Sequence, residues 1–143
     1  MPTRKASAEW KGGLKGGTGS FAGESGAIGG SYSFGSRFEN AGGSNPEELL
    51  AAAEAACYSM ALSLALENHG TPPERVRTEA HCTIDKVGDG FAITTMRLQV
   101  RARVDGVDAA KFRELAEATK TGCPVSKAIL NNVRLELDAA LEG

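Results

Sequence analysis

The stretch NPEELLAAAEAACYSMALSLALEN, residues 45–68, predicts one long helix and decides the fold. Asn45 can cap this helix, because its side-chain oxygen accepts a hydrogen bond from a backbone N–H of the first turn. Pro46 suits the first helical position, and Gly70 with the two prolines that follow it ends the helix. Leucine, methionine and alanine cover nearly every side. The helix therefore belongs at the centre of the protein or in an interface.

A β-hairpin and two shorter helices follow this central helix. Val76–Asp85 alternates apolar and polar residues, as a half-buried strand does, and a turn leads into a second strand over residues 91–104. Asp108 caps a helix that extends to about Lys120, and Cys123-Pro124 opens a short helix through Ile129. Alternating Val133, Leu135 and Leu137 predict a final strand. This order of elements indicates an α+β fold, with antiparallel sheets packed on the central hydrophobic helix.

The first 43 residues are polar and contain 12 of the 18 glycines. Two readings are open for this region: disorder, or short strands joined by glycine turns. Recurring aromatic residues favour strands, and we predict them within Ala6–Lys11 and Ser31–Phe38.

Length and charge exclude several classes of protein. A chain of 143 residues fits one domain, residues 1–143, and a net charge of −2 offers no basic surface for nucleic acid. The beginning, MPTRKASAEW, lacks the apolar segment of a secretory signal. The apolar helix is too short, and too often interrupted by Glu54, Ser59 and Ser63, to predict a membrane span. We therefore expect a cytoplasmic protein.

Cys57, Cys82 and Cys123 are widely separated, and their odd number and the size of the chain argue against a disulfide framework. Cys82 lies on the apolar face of its strand, and this position predicts core packing. A zinc site is disfavoured, because no pair of cysteines or histidines has the spacing of metal ligands and His81 points to the opposite face from Cys82.

The local sequence leaves the roles of the other two cysteines open. Cys123 stands at a helix start, where the helix dipole lowers the pKa of a thiol, but a cysteine there can also simply replace a serine cap. Cys57 lies about three turns into the apolar helix. It is either a small core residue or a reactive thiol, and a reactive thiol there needs a cation from another segment. Arg37 is a candidate for that cation.

Four blocks of the sequence resemble the osmotically inducible protein C (OsmC) family of thiol peroxidases. They are SRFE (residues 36–39), NPEELLAAAEAACYSMALSLAL (45–66), KVGDGFAIT (86–94) and GCPVSKAI (122–129). The glycine-rich start and the overall length are also similar to those of the OsmC branch. The position of Arg37 in SRFE favours this branch over the organic hydroperoxide resistance branch of the same superfamily.

The resemblance implies a two-cysteine peroxidase without metal or flavin. By the family pattern Cys57 is the peroxidatic cysteine, Cys123 the resolving cysteine, Arg37 the arginine beside the reactive sulfur, and Glu47 the carboxylate partner of Arg37. The implied substrates are organic hydroperoxides and hydrogen peroxide, and an external thiol or dithiol reduces the Cys57–Cys123 disulfide. The family fold is an interwoven homodimer with active sites at the subunit interface.

Three neighbouring residues of the central helix are assigned structural roles. Glu48 fits a capping-box carboxylate, Glu54 fits a solvated or interface charge, and Tyr58 fits packing. An alternative function from another class is a redox-sensing or small-molecule-binding dimer, whose cysteines are oxidised without fast turnover.

Overall fold

The computed structural model describes residues 1–142. In chain order the elements are β1 (Ala6–Lys11), β2 (Thr18–Gly23), β3 (Gly29–Tyr32), α1 (Phe34–Phe38), α2 (Pro46–Asn68), β4 (Arg75–Val87), β5 (Gly90–Arg103), α3 (Ala109–Gly122), α4 (Pro124–Ile129) and β6 (Arg134–Leu141). Contacts group residues 1–49 into one compact unit and the residues from Leu50 onward into another. The prediction of a single domain over residues 1–143 stays a prediction.

Each unit contains a three-stranded sheet. The first sheet is antiparallel in the order β1-β2-β3, and the second has the order β4-β5-β6. β4 and β5 form the predicted antiparallel hairpin, whereas β6 is parallel to β5, so the second sheet is mixed. A parallel neighbour needs a long connection, and here α3 and α4 provide it. The predicted α+β fold class is confirmed.

Glycine and aromatic residues together build the first sheet. Trp10 and Tyr32 lie on either side of Gly19 in the register, and their ring centroids are 5.4 Å apart. A Cβ atom at Gly19 would come within 2.5 Å of the Tyr32 ring and 2.7 Å of the Trp10 ring. Only glycine lets the two rings close over the strand. The strand reading of the glycine-rich region is therefore correct for Ala6–Lys11.

The predicted strand over Ser31–Phe38 is wrong beyond Tyr32, because α1 begins at Phe34. Ser33 and Ser36 form a reciprocal capping box: the Ser33 hydroxyl accepts from the Ser36 N–H at 3.0 Å, and the Ser36 hydroxyl accepts from the Ser33 N–H at 2.8 Å. These two bonds satisfy N–H groups that a helix start leaves unpaired, and they outweigh the strand preference of the aromatic residues.

The start of α2 agrees with its prediction in most respects. Asn45 Oδ1 accepts a hydrogen bond from the Glu48 N–H at 2.7 Å, so Asn45 caps the helix. The Glu48 carboxylate accepts from the Ser44 hydroxyl at 2.5 Å. Glu48 thus acts at the helix start, as expected, but its partner is a side chain and not the backbone of the cap.

One stripe of α2 enters the core of the second unit. Glu54, Tyr58, Leu62 and Leu66 follow each other at intervals of four residues, and all are fully buried. The apolar residues of this stripe share a cluster with the inner faces of β5 and α3. The fully buried members from those two elements are Met96, Leu98, Val100, Ala102, Phe112 and Ala116.

The opposite side of α2 remains apolar and exposed within this chain. Met60 is 78% exposed and Leu64 is 56% exposed, and Ala52, Ala53 and Ala56 extend the same surface towards the helix start. By length and composition α2 is sufficient to cross a membrane, with 23 residues and a mean hydropathy of 1.6. The argument that it is too short and too interrupted is wrong on those two measures. A core helix passes the same test, so it is weak evidence for a span.

We expect Val100→Ala to lower the free energy of unfolding by about 2 kcal/mol, since it removes two buried methyl groups and leaves a cavity. Val87→Ala deletes the same atoms from the same hairpin at a residue that is 55% exposed, and it should change stability by less than about 0.5 kcal/mol. Urea denaturation of both variants measures the difference. Equal losses would contradict the assignment of the core.

Candidate active site

Arg37 and Glu47 form a two-pronged ion pair within the first unit. Arg37 lies in the last turn of α1, and Glu47 lies in the first turn of α2. The Nε and Nη2 groups of Arg37 donate to Glu47 Oε1 at 2.9 and 2.8 Å, and Nε lies 3.3 Å from Oε2. The Glu47 side chain is only 7% exposed. The carboxylate fixes the plane of the guanidinium, which a lysine could not reproduce.

Arg37 also forms part of the wall of a cleft of about 250 Å³. Within residues 1–142 its Nη1 group makes no hydrogen bond, and its side chain is 36% exposed. The other lining residues are mostly aromatic or apolar: Trp10, Leu14, Tyr32, Ser33, Phe34 and Phe38. An apolar cleft with one fixed cation suits a small apolar molecule that carries a polar group.

The second unit brings Cys57 and Cys123 together. Cys57 is half-buried on α2, and Cys123 is fully buried at the cap position of α4, where its sulfur accepts from the Ser126 N–H at 3.4 Å. Cys57 packs against the core cluster that contains Cys123, and its side chain is near enough to raise the pKa of the Cys123 thiol. Cys123 therefore replaces a serine as a helix cap, and it also lies against the second cysteine.

Burial raises the pKa of the Cys123 thiol above its ordinary value. The hydrogen bonds with the Ser126 side chain and backbone lower this pKa, whereas the neighbouring Cys57 side chain and the nearby charge of Glu54 raise it. The hydrogen bond at the helix start lowers the pKa of Cys123, as expected, but the burial of the sulfur outweighs this effect. Cys123 is therefore a protonated thiol at neutral pH.

Glu54 is the main residue that sequence reasoning misplaced. It is fully buried, so the expectation of a solvated or interface charge is wrong. Its Oε1 accepts a hydrogen bond from Ser126 Oγ at 2.5 Å and lies 3.8 Å from Cys123 Sγ. Ser126 Oγ lies 3.0 Å from the same sulfur. Cys123, Ser126 and Glu54 thus form a continuous chain of hydrogen bonds.

A signal for Glu54 was present in the sequence. Glu54 stands four residues before Tyr58, and this interval continues through Leu62 and Leu66, so the periodicity places a carboxylate on the buried stripe. Ser126 stands three residues after Cys123, the spacing of a cap and its partner. Neither spacing reveals that the two residues meet, because they belong to separate parts of the chain.

Tyr58 and Cys82 agree with their predicted packing roles. Tyr58 is fully buried, and its hydroxyl donates to the Ala116 carbonyl at 2.9 Å. Burial, followed by the charge of Glu117, raises the pKa of Tyr58, which keeps the phenol neutral. Cys82 packs against the core cluster. Among residues 1–142 no three His, Cys, Asp or Glu side chains are grouped as a metal site requires.

Comparison with known proteins identifies the family. The family described as OsmC-like protein matches residues 39–138. The chain is 43% identical over 134 residues to "Peroxiredoxin OsmC" of Escherichia coli, which covers 93% of this chain and 94% of that protein. It is 33% identical over 102 residues to "Organic hydroperoxide resistance protein OhrA" of Bacillus subtilis, over 67% of each chain. The greater identity and coverage confirm the predicted resemblance to the OsmC branch.

Solved structures agree with the fold. A crystal structure of an organic hydroperoxide resistance protein from Elizabethkingia anophelis has a TM-score of 0.75 at 24% identity, and covers 99% of this chain and 98% of that one. OhrB of Bacillus subtilis has a TM-score of 0.71 at 25% identity, and covers 94% of this chain and 97% of that one. At this level of identity the likeness establishes a common fold.

Proposed function

The chain belongs to the OsmC family, and from that premise we propose that it is a thiol peroxidase of stress defence. Its substrates are organic hydroperoxides and hydrogen peroxide, and its attacking group is the Cys57 thiolate. The observation that carries the proposal is that Cys57 and Cys123, the two cysteines that the family pattern assigns to the reaction, are neighbours in the core of the second unit. The cytoplasm is the site of action that we infer, because thiol reductants are abundant there.

In the first step the Cys57 thiolate attacks the distal oxygen of the hydroperoxide. The O–O bond breaks, an alcohol or water leaves, and Cys57 becomes a sulfenic acid. In our proposal Arg37 favours the thiolate and stabilises the charge that develops on the leaving oxygen. Two features support this role: Glu47 holds the guanidinium in one plane, and the Nη1 group has no other partner within residues 1–142.

In the second step Cys123 attacks the sulfenic sulfur of Cys57. A disulfide forms and water leaves, which protects Cys57 from further oxidation. An external thiol or dithiol then attacks the disulfide and restores both thiols. The neighbouring positions of the two cysteines in the core support this pairing.

The aromatic cleft beside Arg37 supports an organic substrate. Phe34 and Phe38 both line it, and their ring centroids are 5.0 Å apart. An alkyl group that leaves water for such a cleft gains hydrophobic free energy, which hydrogen peroxide does not. Organic hydroperoxides are therefore the proposed preferred class.

A second copy of this chain is the proposed partner of the exposed side of α2. Met60, Leu64 and three alanines form an apolar strip there, and alanine lets another helix approach closely. The strip continues along three turns of α2, which favours α2 of the second copy as the helix that packs against it. This agrees with the homodimer that the family pattern implies.

Cys57→Ser should abolish the reduction of tert-butyl hydroperoxide in the presence of excess dithiothreitol, because the attacking sulfur is lost. Cys123→Ser should reduce one equivalent of peroxide rapidly and retain a sulfenic acid that a dimedone probe detects. Cys82→Ser serves as the matched control and should keep the wild-type rate. Equal, slow consumption by the wild type and by Cys57→Ser would exclude the peroxidase, and slow disulfide formation in the wild type would then favour the redox-sensing alternative.

Arg37→Ala should slow the first step about 100-fold at pH 7, the order of loss seen when one charge-stabilising donor is removed. The pH–rate profile should also shift towards higher pH, since the thiolate loses its cation. Arg113→Ala removes the same charge from an exposed position on α3 and should leave the rate unchanged. Stopped-flow measurements across pH 5–9 distinguish them, and an unshifted profile in Arg37→Ala would reject the role of Arg37.

Leu64→Glu should convert a dimer into a monomer in sedimentation at micromolar concentration, since it buries a charge in the proposed interface. Val87→Glu adds the same charge at an exposed valine of the β4–β5 hairpin and should leave the dimer intact. A wild-type protein that sediments as a monomer would contradict the dimer.

A further inference from the structure

The reaction steps described above do not use the carboxylate of Glu54. It is fully buried, and among residues 1–142 no lysine, arginine or histidine forms an ion pair with it. In the same range its Oε2 atom is buried without any hydrogen-bond partner. A buried carboxylate is unfavourable unless it is paired, and a buried polar atom without a partner often marks a chemical role.

The only hydrogen bonds of Glu54 in the described part of the chain lead to the resolving thiol. Ser126 Oγ donates to Oε1 at 2.5 Å and lies 3.0 Å from Cys123 Sγ. Ser126 is itself fully buried. The Ser126 N–H donates to Cys123 Sγ, so the sulfur is free to donate its own proton towards Ser126 Oγ. The Cys123 thiol proton then has Ser126 Oγ as its acceptor, and the Ser126 hydroxyl proton has Glu54 Oε1. This chain of hydrogen bonds ends at Glu54.

We propose that Ser126 and Glu54 form a proton relay that takes the proton of Cys123 when this thiol attacks Cys57. The proposal deepens the proposed function and rests on it, because the attack is the second step of the peroxidase cycle. The S–H proton passes to Ser126 Oγ while the Ser126 proton passes to Glu54. The S–S bond forms, the S–O bond of the sulfenic acid breaks, and hydroxide leaves with a proton from solvent as water.

The reductive half of the cycle returns the proton. An external thiolate attacks Cys57 in the disulfide, the S–S bond breaks, and Cys123 leaves with the bonding electron pair. The Cys123 sulfur then recovers its proton from Glu54 through Ser126. Until that moment Glu54 holds the proton.

Other titratable groups near the relay do not replace Glu54. Tyr58 is directed to the Ala116 carbonyl, and Glu117 from α3 is paired with Lys120 at 3.2 Å. Cys57 is the partner in the reaction. Glu54 is therefore the one carboxylate in the described residues that is hydrogen-bonded to the Ser126–Cys123 pair.

The test uses a disulfide reagent in place of peroxide, so that the relay is measured separately from peroxidase activity. In a Cys82→Ala background, 2,2′-dithiodipyridine reacts first with Cys57 and releases one pyridine-2-thione. Cys123 then attacks the Cys57 sulfur, forms the disulfide and releases a second pyridine-2-thione. Absorbance separates the two phases, and the second phase reports the nucleophilic attack of Cys123.

We expect Glu54→Gln to slow the second phase at pH 7 by about 100-fold, the usual size of a general-base effect, without slowing the first phase. Glutamine keeps the shape and the acceptor for Ser126 but cannot take a proton. The second-phase rate of this variant should rise steeply with pH, because hydroxide must remove the proton. Ser126→Ala should show the same pattern. Glu67→Gln removes an equal charge from an exposed position on α2 and should behave as the wild type.

Several outcomes would overturn the relay. They are a second phase that is unchanged in Glu54→Gln, equal slowing of both phases, or absence of a second phase in the wild type. A different result would reject the proposed function alone: the wild type fails to reduce tert-butyl hydroperoxide, while its second phase still depends on Glu54 and Ser126. The relay then stands as part of a thiol–disulfide reaction.

Discussion

The burial of one stripe of α2 is the constraint on which the second unit depends. Residues 54, 58, 62 and 66 follow the repeat of the helix, and the protein excludes water from all four. Three of them contribute hydrophobic free energy or a satisfied hydrogen bond. The fourth, Glu54, is a carboxylate, which must lose hydration to enter the core. The same packing that stabilises the unit therefore fixes an acidic group where no solvent competes for it.

This constraint determines the chemistry of both thiols. Cys57 follows Glu54 by one helical turn, and Cys123 reaches the same place from the cap of α4. Because Cys123 is buried beside a carboxylate, its pKa is raised and its sulfur keeps its proton. A thiol in this state is a weak nucleophile, so disulfide formation requires a group that removes the proton. The hydrogen bonds to Ser126 and Glu54 offer a route for it.

The elements that sequence reasoning predicted well are those fixed by local signals. The cap at Asn45, Pro46 in the first turn of α2 and the alternation of the β4–β5 hairpin each depend on neighbours in the chain. The aromatic residues of Ser31–Phe38 predict a strand, and this pattern conceals the capping box of two serines that starts α1. Glu54 was misassigned for another reason. Its burial depends on β5, α3 and α4, and local sequence does not state which side of an apolar helix they cover.

The candidate site also depends on contacts between distant parts of the chain, which local sequence does not reveal. The Arg37–Glu47 pair and the Cys57–Cys123 pair were expected from a family resemblance, and no spacing in the chain would have selected them from the other charged and sulfur-containing residues. The Ser126–Glu54 bond lay outside that pattern. It became visible only when atoms from α2 and α4 were placed within 2.5 Å of each other. Long-range contacts of buried polar groups are thus the least predictable part of this site.

The two ionic groups of the proposed mechanism serve the two sulfurs in opposite senses. In the proposed mechanism the peroxidatic sulfur is ionised before the substrate arrives, and its cation is Arg37, which Glu47 holds in one orientation. A resolving sulfur must stay protonated until the sulfenic acid exists, because two adjacent thiolates would repel each other. A carboxylate beside Cys123 maintains that proton and then accepts it. In the proposed mechanism a cation therefore assists the first step, and a carboxylate assists the second.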